Sequence, residues 1–384
     1  MKKRKSYDYA RFGYLFSLPF VIAWLIFQLY PILYTVVVAF TSLAGAGNTD
    51  VLGSFLLGDK SLSLQTGLFN KETGLFANFF YVFSNNSFSK AFGNTLIIWI
   101  ANFVPQMILA LLITAWFTNR RSKIKGQGFF KVIFYMPNII TASTVAILFN
   151  QFFGYPKGAI NDIFHDVLAP LMNSTLGIFI KDPSRIRELN FFLAPAGAGS
   201  EYHDFLRNAW TARGIVIFIQ TWMWYGYTAI VMISGVLGIS PELFEAAEVD
   251  GANQVQTFFK ITLPSIKTML LFTLVTSLIG GLNMFDIPKL FNDGGPDQAT
   301  TTTSVFIYNQ AFAGSFMYGK AAAASLIMFI VIVALSAILF YLLRDKEEVA
   351  LRKLVKKQEK EFKMKQKLEM LEAQKAAGNV ANKS

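Results

Sequence analysis

The sequence predicts an all-α polytopic membrane protein with six transmembrane helices and both termini on the cytoplasmic side. Of its 384 residues, 53% are hydrophobic and only 15% are charged, which is too apolar for a soluble domain of this length. Six apolar stretches each reach the roughly 20 residues that a membrane-spanning helix needs. The predicted spans cover about 14–40, 91–117, 132–153, 214–237, 267–287 and 321–343.

The composition excludes several kinds of chemistry. Cysteine is absent and the only histidines are His165 and His203, so the sequence predicts no disulfide, no thiolate metal site and no zinc centre. No nucleophile and base stand together in the sequence, and we expect a protein that is not an enzyme. The net charge of +11 would suit nucleic-acid binding in a soluble protein. Here the basic residues flank apolar segments, so we assign them to membrane orientation and predict no nucleic-acid partner.

Charge also predicts which loops lie inside the cell. Residues 1–13 and 119–131 together carry ten Lys and Arg with Asp8 as their only acid, the pattern of cytoplasmic segments. The first span, preceded by this basic N-terminus, is much longer than the core of a cleaved signal peptide, and we expect it to be retained. Outside loops are then expected at about 41–90, 154–213 and 289–318.

Between spans four and five, the loop at about 238–266 is rich in charged residues and must be solvated. Pro241 suits the first turn of a helix, and the glutamates after it favour the positive end of the helix dipole. Gly251 can take the left-handed conformation that ends such a helix, so a second helix can run from Ala252 to Pro264. We therefore predict a helix, a turn and a helix outside the bilayer.

This loop resembles the EAA loop of membrane subunits in binding-protein-dependent ABC importers. The resemblance implies that it is a cytoplasmic coupling helix, which sits in a groove on an ATPase subunit. The residues that match the motif are Glu245, Ala246, Ala247, Asp250, Gly251, Ala252, Ile261, Leu263 and Pro264.

Further motifs resemble the larger membrane subunit of carbohydrate importers, similar to the maltose-transporter type. They are Thr211-Ala212-Arg213, Gln220-Thr221-Trp222, Phe285-Asp286, Phe291 to Pro296, Ala299-Thr300, Ala311-Phe312 and Gly319 to Ala323. The resemblance implies a six-span permease domain at 14–343 in a bacterial plasma membrane, importing a sugar or oligosaccharide. Its expected partners are a second homologous permease, two cytoplasmic ATPase subunits that bind ATP and Mg, and an extracytoplasmic sugar-binding protein. No cofactor is expected on this chain.

A sugar path needs hydrogen-bonding groups beside flat apolar surfaces, because a pyranose ring has hydroxyls at its edge and CH groups on its faces. Gln220, Trp224 and Tyr227 share one face of span four and offer both. The alternative for Trp222 and Trp224 is an aromatic belt or packing in the bundle. The family resemblance implies a substrate path formed by Gln220, Met223, Trp224, Tyr227, Ser277, Gly281 and Met284.

Other interpretations stay open at this stage. An EAA-type importer of a polyamine or peptide would show the same coupling loop, whereas a secondary transporter would need more charges inside its spans. The loop at 154–213 is predicted either to dock the binding protein or to form a self-packed cap. The tail at 344–384 is predicted to contain a charged cytoplasmic helix.

Overall fold

The computed structural model describes residues 9–46, 75–119, 125–156, 158–163, 204–343, 354–362 and 364. All regular secondary structure in these ranges is helical, so the predicted all-α class is confirmed. Several sequence predictions concern parts outside the described residues. These are residues 1–8 of the basic N-terminus, residues 47–74 and 164–203 of the first two outside loops, and most of the tail.

The α-helices are named here in chain order. They are α1 Tyr9–Trp24, α2 Tyr30–Ala39, α3 Ala77–Ser84, α4 Asn86–Phe117, α5 Gln127–Ile139, α6 Ala142–Phe152, α7 Ala159–Ile163, α8 Ala209–Leu237, α9 Pro241–Val249, α10 Gln254–Thr257, α11 Leu263–Ser265, α12 Lys267–Leu282, α13 Asp286–Asn292, α14 Thr303–Phe312 and α15 Tyr318–Leu343. Two π-helical turns, Leu25–Leu29 and Phe258–Thr262, join α1 to α2 and α10 to α11.

Five helical stretches of the described chain are long and apolar enough to cross a membrane, and they coincide with the predicted spans one, two, four, five and six. They are Phe12–Ala39, Asn86–Phe117, Ala209–Leu237, Lys267–Asn292 and Tyr318–Leu343. The predicted third span is not one continuous helix. It consists of α5 and α6, which meet at an angle of 89°, and the total reaches six only if this pair counts as one span.

The break in the third span has a local cause. Ile140 and Thr141 are both extended, and the Thr141 hydroxyl accepts a hydrogen bond from the Thr144 amide at 3.3 Å, which caps a new helix. The new helix, α6, packs against α13, where the Asn150 amide donates to the Phe291 carbonyl at 2.7 Å. The apolar composition indicated which residues form this segment, but it carries no information on the angle between α5 and α6.

The long helix α8 organises the bundle and packs against α4 and α5. Its contact with α5 is a close backbone approach, because a Cβ added at Gly226 would collide with the Phe134 carbonyl. A second group of helices surrounds α15, which packs against α2, α3, α12 and α14. Helix α1, by contrast, leaves most of its described side chains exposed within this chain.

The loop between α13 and α14 is part of the folded core. Thr300 and Thr302 are fully buried there, as is Thr303 at the start of α14, although the sequence suggested only an outside segment rich in turns. The Arg213 guanidinium of α8 donates to the Ala299 carbonyl at 3.1 Å and to Asn94 Oδ1 of α4 at 3.0 Å. The buried Thr300 and Thr302 hydroxyls also have partners, because they donate to Asn292 Oδ1 at 2.8 Å and to the Met284 carbonyl at 2.7 Å.

Candidate functional site

A cavity of about 400 Å³ lies between α4, α8, α12 and the start of α13. All seven residues that were predicted to form the substrate path line this one cavity. From α8 they are Gln220, Met223, Trp224 and Tyr227, and from α12 and the residues after it they are Ser277, Gly281 and Met284. Two helices distant in sequence thus present the predicted residues to a shared space.

On the α8 wall, the Gln220 side chain is only 7% exposed and makes no hydrogen bond to any described residue. Its amide is open to the cavity and not enclosed by protein, so Gln220 is suited to bind a polar group there. Trp224 is 43% exposed, and its ring meets Tyr227 edge to face at 5.9 Å. Trp222 instead packs against Phe149 at 5.6 Å, the kind of contact that the packing alternative expects, whereas Trp224 lines the cavity.

The α12 wall ends in a break of the helix. Ser277 and Gly281 lie on the last turns of α12, and Met284 lies in the short segment before α13. The Met284 carbonyl accepts a hydrogen bond from the buried Thr302 hydroxyl at 2.7 Å. The loop before α14 therefore holds the end of this wall that lies next to α13.

A third wall was missed in the sequence. Helix α4 contributes Trp99, Asn102 and Gln106 to the cavity. Gln106 donates to the Thr228 hydroxyl at 2.7 Å and Asn102 to the Ile98 carbonyl at 3.0 Å. The signal that could have revealed this wall is two amides four residues apart in an apolar span, the same signal that drew attention to Gln220.

Residues 238–266, which the family resemblance predicts to couple to an ATPase, are called the coupling loop here. The first helix and the turn of this loop have the conformation that its residues predict. Helix α9 begins at Pro241, and Gly251 adopts the left-handed conformation with φ +73°. The Ala252 amide donates to the Ala247 carbonyl at 2.9 Å, and the Gly251 amide donates to the Glu248 carbonyl at 3.1 Å. These bonds satisfy the last carbonyls of the helix, as expected for a glycine at this position.

The second predicted helix differs from the prediction in its bounds. It begins at Gln254 instead of Ala252, because Asn253 forms a capping box with Gln256 through bonds of 2.8 and 2.9 Å. It does not end at Pro264 either. The chain continues through the π-helical turn and α11, whose first turn accommodates Pro264, towards α12.

Most of the predicted coupling residues lie on an accessible surface. Glu245, Ala246, Asp250, Gly251 and Pro264 are exposed, Ala252, Ile261 and Leu263 are half-buried, and Ala247 is buried. Between this loop and the end of α4 lies a second cavity of about 520 Å³, with Trp116 and Phe259 among its lining residues. Gln254 ties the loop to α4 by donating to Asn119 Oδ1 at 3.0 Å.

Comparison with known families decides the class of protein. Residues 73–347 match the family described as the binding-protein-dependent transport system inner membrane component. The chain belongs to this family. Membership confirms that the chain is a multi-pass membrane permease, a transport subunit and not an enzyme.

Relatives of this permease include several named for sugars. The multiple sugar-binding transport system permease of Streptococcus mutans is 31% identical over 69% of this chain and 81% of its own length. The lactose transport system permease of Rhizobium radiobacter is 28% identical over 87% of this chain and 95% of its own. The maltodextrin transport system permease of Bacillus subtilis is 30% identical over 86% of this chain and 68% of its own.

Among solved structures, the permease resembles a chain of a bacterial ABC transporter that imports the acidic polysaccharide alginate. The TM-score is 0.61 at 23% identity, and the match covers 88% of this chain and 97% of the other. A second structure, of a bacterial alginate transporter in complex with an alginate-bound periplasmic protein, matches with a TM-score of 0.60 at 23% identity, over 89% of this chain and 98% of the other. At this identity the similarity supports the fold alone.

Proposed function

We propose that this permease conducts a sugar or oligosaccharide through the cavity between α4, α8 and α12, in an ATP-driven importer fed by an extracytoplasmic sugar-binding protein. The observation that carries the proposal is Gln220, a buried amide that faces the cavity without a partner, beside the aromatic rings of Trp224 and Tyr227. Hydroxyl groups of a sugar would satisfy the amide, and its CH faces suit the rings. Three of its relatives are named for sugars, which supports the same class of solute.

The residues that line the cavity argue against a polyamine as the solute. A polyamine carries several positive charges, and a site for it inside a membrane would need several carboxylates. Among the described residues that line the cavity, only Asp286 carries a carboxylate. The remaining polar groups are amides and hydroxyls, which bind neutral hydroxyl groups without a charge to balance.

The proposal assigns the coupling loop to an ATPase subunit. Glu245 and Asp250 would contact that subunit, and Gly251 would permit the turn between the two helical parts. The complex would hold a second homologous permease and two ATPase subunits, on which ATP and Mg bind. Both termini and this loop would face the cytoplasm of a bacterial plasma membrane. The exposure of the loop, in a chain whose family works with a binding protein, supports this arrangement.

The experiment is uptake of a panel of labelled sugars by proteoliposomes that contain the assembled importer, with ATP inside and the binding protein outside. Gln220→Leu and Tyr227→Phe each remove a hydrogen-bonding group from the cavity. An unpaired hydroxyl costs about 1 to 3 kcal/mol, so uptake of the affected sugars should fall roughly 5- to 100-fold and that of others less.

The matched control is Ser234→Ala, which removes an exposed hydroxyl from the same helix, α8, outside the cavity. This variant should leave uptake of every sugar unchanged. Equal losses for all sugars in the Gln220 and Tyr227 variants would indicate packing roles. Failure of the intact importer to accumulate any sugar would contradict the proposed function itself.

A further inference from the structure

We propose that the cavity accepts a neutral saccharide and that Trp99 of α4 is the surface on which a sugar ring stacks. This inference rests on the proposed sugar path and adds two things to it: the charge class of the substrate and a residue that sets specificity. The resemblance to maltose-type importers implied a path on spans four and five, whereas Trp99 lies on span two.

Three contacts fix the position of the Trp99 ring. Its indole Nε1 donates a hydrogen bond to the Ser277 hydroxyl at 3.3 Å. It stacks with Phe103 of the same helix, with ring centroids 6.1 Å apart and planes inclined by 28°. It also lies directly against Gly281, where an added Cβ would come within 2.7 Å of Trp99 Cγ and 3.0 Å of Nε1. The absence of a side chain at Gly281 is therefore what lets the ring reach the cavity wall.

This arrangement holds an aromatic ring at the cavity beside polar groups on the facing wall. Trp99 is only half-buried and lines the same cavity as Gln220 and Tyr227. A pyranose ring can place its CH face on the indole while its equatorial hydroxyls reach amide and phenol groups. An indole held by neighbouring residues loses little freedom when a ligand binds, which favours it as an anchor.

The charges on this chain's side of the cavity argue against an acidic sugar. No described residue that lines the cavity is Lys, Arg or His, and Asp286 would repel an anion. The nearby cations are occupied: Arg213 binds Asn94 and Ala299, and Lys289 pairs with Asp293. Placing a carboxylate at membrane depth without a cation carries a large desolvation cost. The wall that this chain supplies therefore suits uncharged sugars.

The absence of cysteine makes the inference directly testable. Asn283→Cys places the only thiol of the chain at the cavity, where Asn283 is exposed. In the importer assembled with cysteine-free partners, we would measure the rate of maleimide labelling at this thiol. The sugars tested for protection of this thiol are maltotriose, lactose, raffinose and trigalacturonate. At least one neutral sugar should slow the labelling, and trigalacturonate should not. Protection by trigalacturonate, or by none of the four, would overturn the proposal.

Substitutions at Trp99 test the stacking surface with the same readout. Trp99→Ala should raise the half-protecting concentration of the neutral sugar about tenfold, as expected for loss of an aromatic contact, while Trp99→Phe should retain most of the protection. Gly281→Ala should act like Trp99→Ala because it displaces the ring. Its matched control is Gly93→Ala on α4, which adds a methyl group with no heavy atom within 4 Å and should change nothing.

Two results separate the inference from the proposed function. If Trp99→Ala forms the intact complex and shows unchanged half-protecting concentrations, Trp99 is not the stacking surface, although sugar transport can still hold. If the unsubstituted importer accumulates no sugar in proteoliposomes, the proposed function fails and the inference fails with it. Size-exclusion chromatography of each complex verifies assembly, and Trp99→Phe serves as the folded reference should Trp99→Ala fail to assemble.

Discussion

Two loops of this permease are rich in charged and turn-forming residues, but they have opposite relations to the bundle. Residues 293–302, called the outer loop here because the sequence predicts that they lie outside the cell, are tied to distant helices: Arg213 and Asn94 both bind the backbone of this loop, and Thr302 holds the end of the α12 wall. The coupling loop, residues 238–266, forms most of its recorded hydrogen bonds within itself and leaves most of its side chains exposed. One loop completes the fold, and the other presents a surface.

The difference shows that a loop's role depends on where its polar groups find partners. In the outer loop, the Ala299 and Thr301 carbonyls, both on buried residues, accept bonds from side chains that lie more than eighty positions earlier in the chain, so removing one donor leaves a carbonyl in the core unpaired. In the coupling loop, backbone bonds and the Asn253 cap maintain the shape locally. Substitutions in the first loop should therefore destabilise the protein, while those in the second should affect transport with little loss of stability.

The largest effect is expected from Arg213→Met. It removes two bonds from a charged donor and leaves Asn94 Oδ1 and the Ala299 carbonyl without that partner, a loss of roughly 3 kcal/mol or more. Thermal unfolding of the purified complex should shift to a clearly lower midpoint, and all transport should fall with it. Arg207→Met, an exposed position close by, is the control. Equal midpoints for the two variants would refute the view that the outer loop belongs to the core.

An intermediate effect is expected from Gly251→Val. A β-branched residue is strained at φ +73°, by about 1 to 2 kcal/mol, and the turn between α9 and α10 should shift. We expect sugar-stimulated ATPase activity and uptake to fall about tenfold, with unfolding midpoint and binding-protein affinity nearly unchanged, because a displaced loop misses its partner surface.

The matched control for Gly251 is Gly314, a glycine with φ +94° in the connection between α14 and α15. Neither position has a heavy atom within 4 Å of an added Cβ, so Gly314→Val imposes similar backbone strain in a different loop. It should leave ATPase stimulation intact. Equal uncoupling by both variants would trace the effect to strain in general and would contradict a specific role of the coupling loop.

The smallest effect is expected from Asn253→Ala, which removes the capping box of α10. Loss of such a cap costs about 1 kcal/mol locally, so uptake should fall only about two- to fivefold. Asn85→Ala is the counterpart at the start of α4, where the side chain caps the amides of Ser87 and Phe88. It should lower the unfolding midpoint without changing ATP hydrolysis per sugar transported. If Asn253→Ala lowered the unfolding midpoint and left uptake unchanged, while Asn85→Ala changed ATP hydrolysis per sugar transported, the contrast between the loops would be contradicted.

Parts of the site could be predicted because they depend on local rules. The common face of Gln220, Trp224 and Tyr227 follows from helical periodicity, and these residues do line one cavity. The turn at Gly251 follows from the freedom of glycine to adopt positive φ. The Trp99 wall was not predictable in this way, since a tryptophan in an apolar span can equally face lipid, and its orientation depends on contacts with Ser277 and Gly281 of a distant helix.

The sequence by itself determined the helical class, the location of the spans and the presence of a solvated loop between the fourth and fifth. The spans and the solvated loop follow from how favourably each segment transfers from water to an apolar phase. The turn within the loop follows from the conformational freedom of a single glycine. Tertiary structure decided the burial of the outer loop, the third wall of the cavity and the packing of α6, the second half of the third span, against α13, although the 89° break itself begins at the local Thr141 cap. These features depend on pairs such as Arg213 and Asn94, which lie 119 positions apart and meet only when the helices pack.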